Sequence, residues 1–139
     1  MNACERIMPL VGRVLISAIF LFSGITKLTH FSGMVPFMAS KHMPMPSVML
    51  AGALIVEILG ALCLITGFQT RIAALITFLY LIPTTLMFHN FWAMQGAMHM
   101  DNQAHFLKNL AIMGGLLILA AYGPGELSID ASRATISKP

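Results

Sequence analysis

Charge is scarce in this sequence. Only 9% of its 139 residues are Asp, Glu, Lys or Arg, where a soluble domain carries about a quarter. Such a chain cannot clothe a water-facing surface in ionic groups. With 58% hydrophobic residues and a mean hydropathy of +0.83, it has a membrane composition. Basic clusters interleaved with stacking aromatics are also missing, and the net charge of +3 is spread thinly; nucleic acid is excluded as a partner. Cysteine is nearly absent. Cys4 and Cys63 form no C-x-x-C and have no reason to meet, so a thiol relay within the chain is not expected. No Pro/Gly/Ser-rich linker or shift of composition divides the chain, which reads as a single domain over residues 1–139.

What is present is four uninterrupted apolar runs, at about Val11–Thr29, Val48–Phe68, Arg71–Phe88 and Ala104–Tyr122. Each is about 18 to 21 residues, the length at which a helix crosses a bilayer. The runs are too long for strands and do not alternate. Pro44 and Pro46 precede the second run with Ser47 as the expected N-cap, "GFQT" reads as a tight helical hairpin, and Gly123-Pro124-Gly125 closes the fourth run. The expected fold is all-α, an integral membrane four-helix bundle whose first partner is the lipid bilayer. Arg6 and Arg13 precede the first run as in a signal peptide, but no A-x-A-like site follows, so the run is kept as a span. Arg6, Arg13, Arg71, Arg133 and Lys138 fall on one side and Lys27, Lys41 and Lys108 on the other. The positive-inside rule then puts both termini in the cytoplasm. Residues 124–139 form a polar tail, expected to be only partly ordered.

Glu57 breaks the second run, which is otherwise free of charge. A carboxylate at that depth needs a partner, because lipid cannot solvate it. At 100° per residue its helix face also carries Ala53, Gly60 and Ala61, while Val48, Ile55, Leu59 and Leu62 lie opposite. Small residues suit helix contacts and bulky aliphatics suit lipid, so Glu57 is expected to point into the bundle. Depth ranks the cations. At 1.5 Å per residue Glu57 lies about 13 Å below the outer end of its helix, Lys108 about 6 Å and Lys27 about 3 Å below theirs. This favours Lys108 as partner, with Lys27 second; either lysine can instead lift its ammonium to the headgroups. Lys108 shares a face with Ala104, Ala111, Gly115 and Tyr122, and Lys27 with Phe20, Ser23 and Gly24. His89 to Trp92 close the third run, where His and Trp are also ordinary interfacial residues. Pro83 below them is expected to kink the helix, with Thr84 or Thr85 covering the freed carbonyl.

An outward-opening cavity lined by Lys108, Lys27, Glu57, His89 and Asn109 would suit a small polar or aromatic molecule. Lys and His donate to a carbonyl or phenolate oxygen, and a buried carboxylate beside a cation can exchange a proton. Quinones fit that description, although the residue types do not demand one. The metal reading is weaker. All five histidines (His30, His42, His89, His99, His105) fall on the outer side, and "KHMPMP" and "AMHMD" put methionines beside two of them, a set soft enough for Cu(I). Their spacings match no fixed ligand pattern, and no metal site is assigned.

Four segments in order resemble the DoxX family: "RVLISAIFLFSGITKL", "VEILGALCLITGFQTRIAAL", "FHNFW" and "FLKNLAIMGGLLILAAYGPGELSID", together covering about residues 9 to 130. The resemblance implies a four-helix inner-membrane protein of prokaryotes associated with membrane redox systems, since relatives include the small subunit of thiosulfate:quinone oxidoreductase. It implies a redox protein partner and an oxidoreductase subunit, with the polar pattern falling on Lys27, Glu57, His89, Trp92, Lys108 and Asn109. Many relatives have His-Phe-Phe-Trp where this chain has His-Asn-Phe-Trp, so Asn90 makes that corner more polar. Related folds include proteins that escort others. A non-catalytic membrane anchor or assembly partner therefore stands beside the ligand-binding reading.

Overall fold

A computed structural model of the chain describes residues 3–136. Six α-helices follow one another: α1 (Ala3–Thr29), α2 (Phe31–Ser40), α3 (Pro46–Thr66), α4 (Thr70–Phe88), α5 (Ala97–Tyr122) and α6 (Ile129–Ile136). A 3-10 turn at Phe91–Ala93 links α4 to α5. Helices α1, α3, α4 and α5 are long and apolar enough to cross a membrane. They form the expected bundle, with the start of α1 and the segment after α5 meeting at one end of it through Arg6 and Glu126. Two boundaries move outward, since α1 begins at Ala3 and α5 at Ala97. The N-terminus of α3 also differs: Pro46 is its first residue, and the preceding Met45 takes a left-handed conformation, so Ser47 is not the cap. Proline suits that first position because its missing N–H would have no partner there. Lys138 lies outside the described residues.

The packing is sequential. Helix α3 lies between α1 and α4, and α5 packs on α4, while α1 and α5 meet only narrowly. Close approach is set by small residues. A Cβ on Gly24 of α1 would stand 2.7 Å from Ile58 Cγ1 of α3, so only glycine lets those two backbones come so near. On α3 the face read from the sequence is the one observed. Glu57 and Ala61 are buried; Val48, Ile55, Leu59 and Leu62 are exposed, as a lipid-facing stripe should be. One core, around Phe20, Ala61, Leu64, Ala74, Leu81 and Leu116, fills the half of the bundle nearer the chain ends.

The segment after α1, read as an outer loop, contains α2. This helix lays Met38 against Met43 and Leu50, with Met34 and Phe88 beside them, and so roofs the other half of the bundle. The polar tail is fastened at the opposite end. The Asp130 carboxylate accepts from the backbone N–H groups of Gln69 (2.8 Å) and Thr70 (2.9 Å) at the start of α4, where the helix dipole favours negative charge. Arg71, one residue on, donates to the carbonyls of Ala120 (3.0 Å) and Ala121 (2.6 Å) at the end of α5. Arg13, read from the sequence only as a charge on that side, is wholly buried and donates to the Leu127 carbonyl. Glycine is required at the centre of this knot. Gly67 has φ +71°, and a Cβ there would lie 2.0 Å from Arg13 Nη1 and 2.4 Å from Ser128 Cβ.

Candidate functional site

Between the narrow α1–α5 contact and the α2 roof lies a cavity of about 570 Å³. At the α1–α5 contact Ile16 fills the space beside Gly115, where a Cβ would come within 2.8 Å of Ile16 Cδ1. Most of the lining is apolar, drawn from Ile19, Phe20, Met34, Met38, Leu50 and Phe88 among others. Two polar groups interrupt it.

Glu57 anchors the first. Its side chain is 5% exposed and that of Lys27 is 18% exposed. The Lys27 ammonium donates to Glu57 Oε1 at 2.9 Å, to Oε2 at 2.8 Å, and to Ser23 Oγ at 2.6 Å. The Tyr80 hydroxyl donates to Glu57 Oε1 at 2.7 Å. The buried carboxylate is therefore held by three hydrogen bonds from two donors, one on each flanking helix, which is how such a charge becomes tolerable in an apolar medium. The inward direction of Glu57 was legible; its partner was not. Lys27 and not Lys108 forms the ion pair, because α3 packs against α1 and α4, with α5 beyond α4. Depth ranked the lysines without knowing which helices are neighbours.

Tyr80 escaped the sequence reading altogether. It sits in "FLYLIP", where an aromatic among aliphatics passes as core. The available signal was its hydroxyl, which at that depth needs a partner as surely as a carboxylate does.

The second polar group sits at the rim. His89 Nδ1 is 3.2 Å from Asn102 Oδ1, and its ring stacks on His105 with centroids 5.0 Å apart. Lys108 Nζ lies 2.8 Å from His105 Nδ1. Deeper on α5, the buried Asn109 donates to Thr85 Oγ1 at 3.0 Å. The α5 face assigned to Lys108 from its small neighbours meets another helix at Gly115, which packs on Ile16 of α1, whereas Ala104 and Ala111 are exposed and Tyr122 is 83% exposed. The helix buries Asn109, Met113, Leu116 and Leu119 instead.

Of the residues singled out in the sequence, Lys27, Glu57, His89, Lys108 and Asn109 line this one cavity. Asn90 and Trp92 do not. Trp92 is 57% exposed and packs edge-on against Phe91 and Phe106; Asn90 Oδ1 is buried without a partner. Below them Thr84 donates to the Tyr80 carbonyl at 2.9 Å, one residue beyond the carbonyl that Pro83 frees. Of the five outer histidines His89 and His105 stack together, whereas His30 bonds to Thr26 and Thr29 and His99 packs on Phe91. Among the described residues no three His, Cys, Asp or Glu side chains gather as a metal site would need.

Comparison with known proteins gives a consistent set of relatives. The DoxX family profile matches residues 8–90. Inner membrane protein YphA of Escherichia coli K12 is 34% identical over 129 residues, covering 93% of this chain and 92% of its own. Inner membrane protein YqjF of the same organism is 37% identical over 130 residues, covering 94% and 95%. A more distant likeness, 32% over 76 residues, is to the ER-derived vesicles protein ERV29 of Saccharomyces cerevisiae, covering 55% of this chain and 24% of that one. No solved structure matches significantly.

Proposed function

This chain belongs to the DoxX family, and from that premise we propose that it is a redox-associated inner-membrane protein whose cavity holds a small ring compound of the quinone type. The bundle is a multi-pass inner-membrane unit. With Arg6, Arg13, Arg71 and Arg133 at the end that carries the termini, the positive-inside rule puts that end in the cytoplasm and opens the cavity outward.

One observation carries the ligand reading: a largely apolar cavity of about 570 Å³ contains a buried, fully partnered carboxylate. Pockets for small molecules fall in the range of about 300–1,000 Å³ and combine apolar walls with a few fixed polar groups. The fit to a quinone rests on the donors. Lys108 faces the cavity from the rim with N–H groups to spare, so a carbonyl oxygen on a flat apolar ring would find its donor there, while the N–H and O–H groups of Lys27 and Tyr80 are taken up by Glu57 and Ser23. A quinone, when bound, supplies the capacity to take up electrons and protons at its oxygens. The protein's part is to bind, orient and exclude water. Lys27 and Tyr80 hold Glu57 where it can accept or return a proton, and Phe20, Met38 and Leu50 keep the surroundings dry. A soluble or membrane redox partner would supply the electrons.

The test is chemical extraction. Protein purified in mild detergent from its native membrane should yield a quinone in stoichiometric amount, and Glu57→Gln should lose most of it. Folded wild-type protein whose extract holds no such compound, and which takes up none when quinones are added, would leave the anchor or assembly reading in its place.

A further inference from the structure

The charges around the cavity do not balance. Glu57 and Lys27 neutralise one another at 2.8 Å. Lys108, across the cavity, has no carboxylate within ion-pairing distance among the described residues; its partner is the imidazole of His105. Because an ammonium has only donors, His105 Nδ1 must be the acceptor there, which leaves the ring's proton on Nε2. That nitrogen faces Asp101 Oδ2 at 3.7 Å, and the Asp101 side chain is 73% exposed, away from the lining. The cavity rim therefore carries one cation in excess, flanked by two imidazoles, and Lys108 is exposed where the cavity opens.

We propose that the compound held in this cavity enters as an oxyanion, its charge set against Lys108 and its apolar body directed towards Phe20 and Leu50. The inference rests on the ligand-binding reading of the same site and narrows it to acidic ring compounds, in which an ionised hydroxyl is conjugated with a carbonyl. A neutral quinone would meet the same walls but would leave the Lys108 charge without a counter-charge. The deeper Glu57 excludes a second negative charge from the interior, so a single acidic group at one end of an otherwise apolar molecule is the pattern selected.

The experiment compares two ligands that share a ring and differ in charge. Lawsone, a hydroxynaphthoquinone ionised at neutral pH, and its uncharged methyl ether are titrated into the purified chain in phosphatidylcholine discs, with empty discs subtracted. Lawsone should bind about tenfold to a hundredfold more tightly than the ether, the size of a hydrogen bond to a charged group. Lys108→Met should bring lawsone down to the level of the ether, while Lys108→Arg should retain the preference. Equal affinities in the wild type, or a preference that survives Lys108→Met, would overturn the proposal yet leave the cavity reading standing. Binding of neither ligand would overturn both.

Discussion

Replacing Lys27 with methionine removes the cation from Glu57 while keeping the length and apolar stem of the side chain. Three hydrogen bonds disappear, two to the carboxylate and one to Ser23. Glu57 is left 4% exposed with Tyr80 as its remaining donor. Breaking a buried pair by removing one member costs about 3–5 kcal/mol, and the retained tyrosine and adjoining cavity argue for the lower end, about 3 kcal/mol. Glu57→Gln should cost less, because Lys27 is nearer the helix end, keeps Ser23 and can extend its ammonium towards the headgroups. The double variant Lys27→Met with Glu57→Leu removes both charges, so it should be more stable than the sum of the single changes implies, with a coupling of about 2 kcal/mol. Heating in detergent with gel-filtration readout ranks the set: Lys27→Met lowest, the double variant above it, Glu57→Gln nearest wild type. If Lys27→Met were as stable as Glu57→Gln, or the two losses added without coupling, Lys27 and Glu57 would not act as a coupled pair between α1 and α3.

Three further expectations follow from neighbouring contacts. Tyr80→Phe removes one hydrogen bond to a charged acceptor and should cost about 1.5–3 kcal/mol, measured in the same melts, with the paired Lys27 limiting the loss. Gly67→Ala forces a left-handed residue, a penalty of about 1–2 kcal/mol, into space held by Arg13 and Ser128; protease cleavage within α6 should rise sharply, whereas Gly12→Ala, with open space around it, should leave cleavage unchanged. Burial raises the Asp130 carboxyl, but the backbone N–H groups of Thr70 and Gln69 and the charge of Arg133 outweigh it and hold the group below its ordinary value. A depressed carboxylate contributes stability that is complete above the unfolded value near 4 and fades as pH falls through the folded one. Amide exchange at Gln69 and Thr70 should therefore accelerate in acid in the wild type, and in Asp130→Asn should be fast already at neutral pH.

The helices and the inward turn of Glu57 were legible because both follow from local rules. Run length fixes the span, and the small-residue face around Ala53, Gly60 and Ala61 fixes which side meets other helices. Tyr80 was missed for lack of a pattern, since a lone phenol in an aliphatic run has no periodicity to betray it. Asp130 was missed because a helix start can be capped from sixty-odd residues away, and nothing local to either segment reports the other. Arg13 was counted as a charge on one side, yet its burial depends on the Leu127 carbonyl reaching it from the far end of the chain.

Composition and periodicity by themselves determined a four-span membrane bundle with an acidic residue turned inward, because the cost of exposing charge or unpaired backbone to lipid admits few alternatives. Which cation meets that acid, that a tyrosine joins them, and that the rim lysine is left facing a cavity were decided only by the order in which the helices pack. Depth along one helix is written in its own residues, whereas adjacency is a property of the whole assembly.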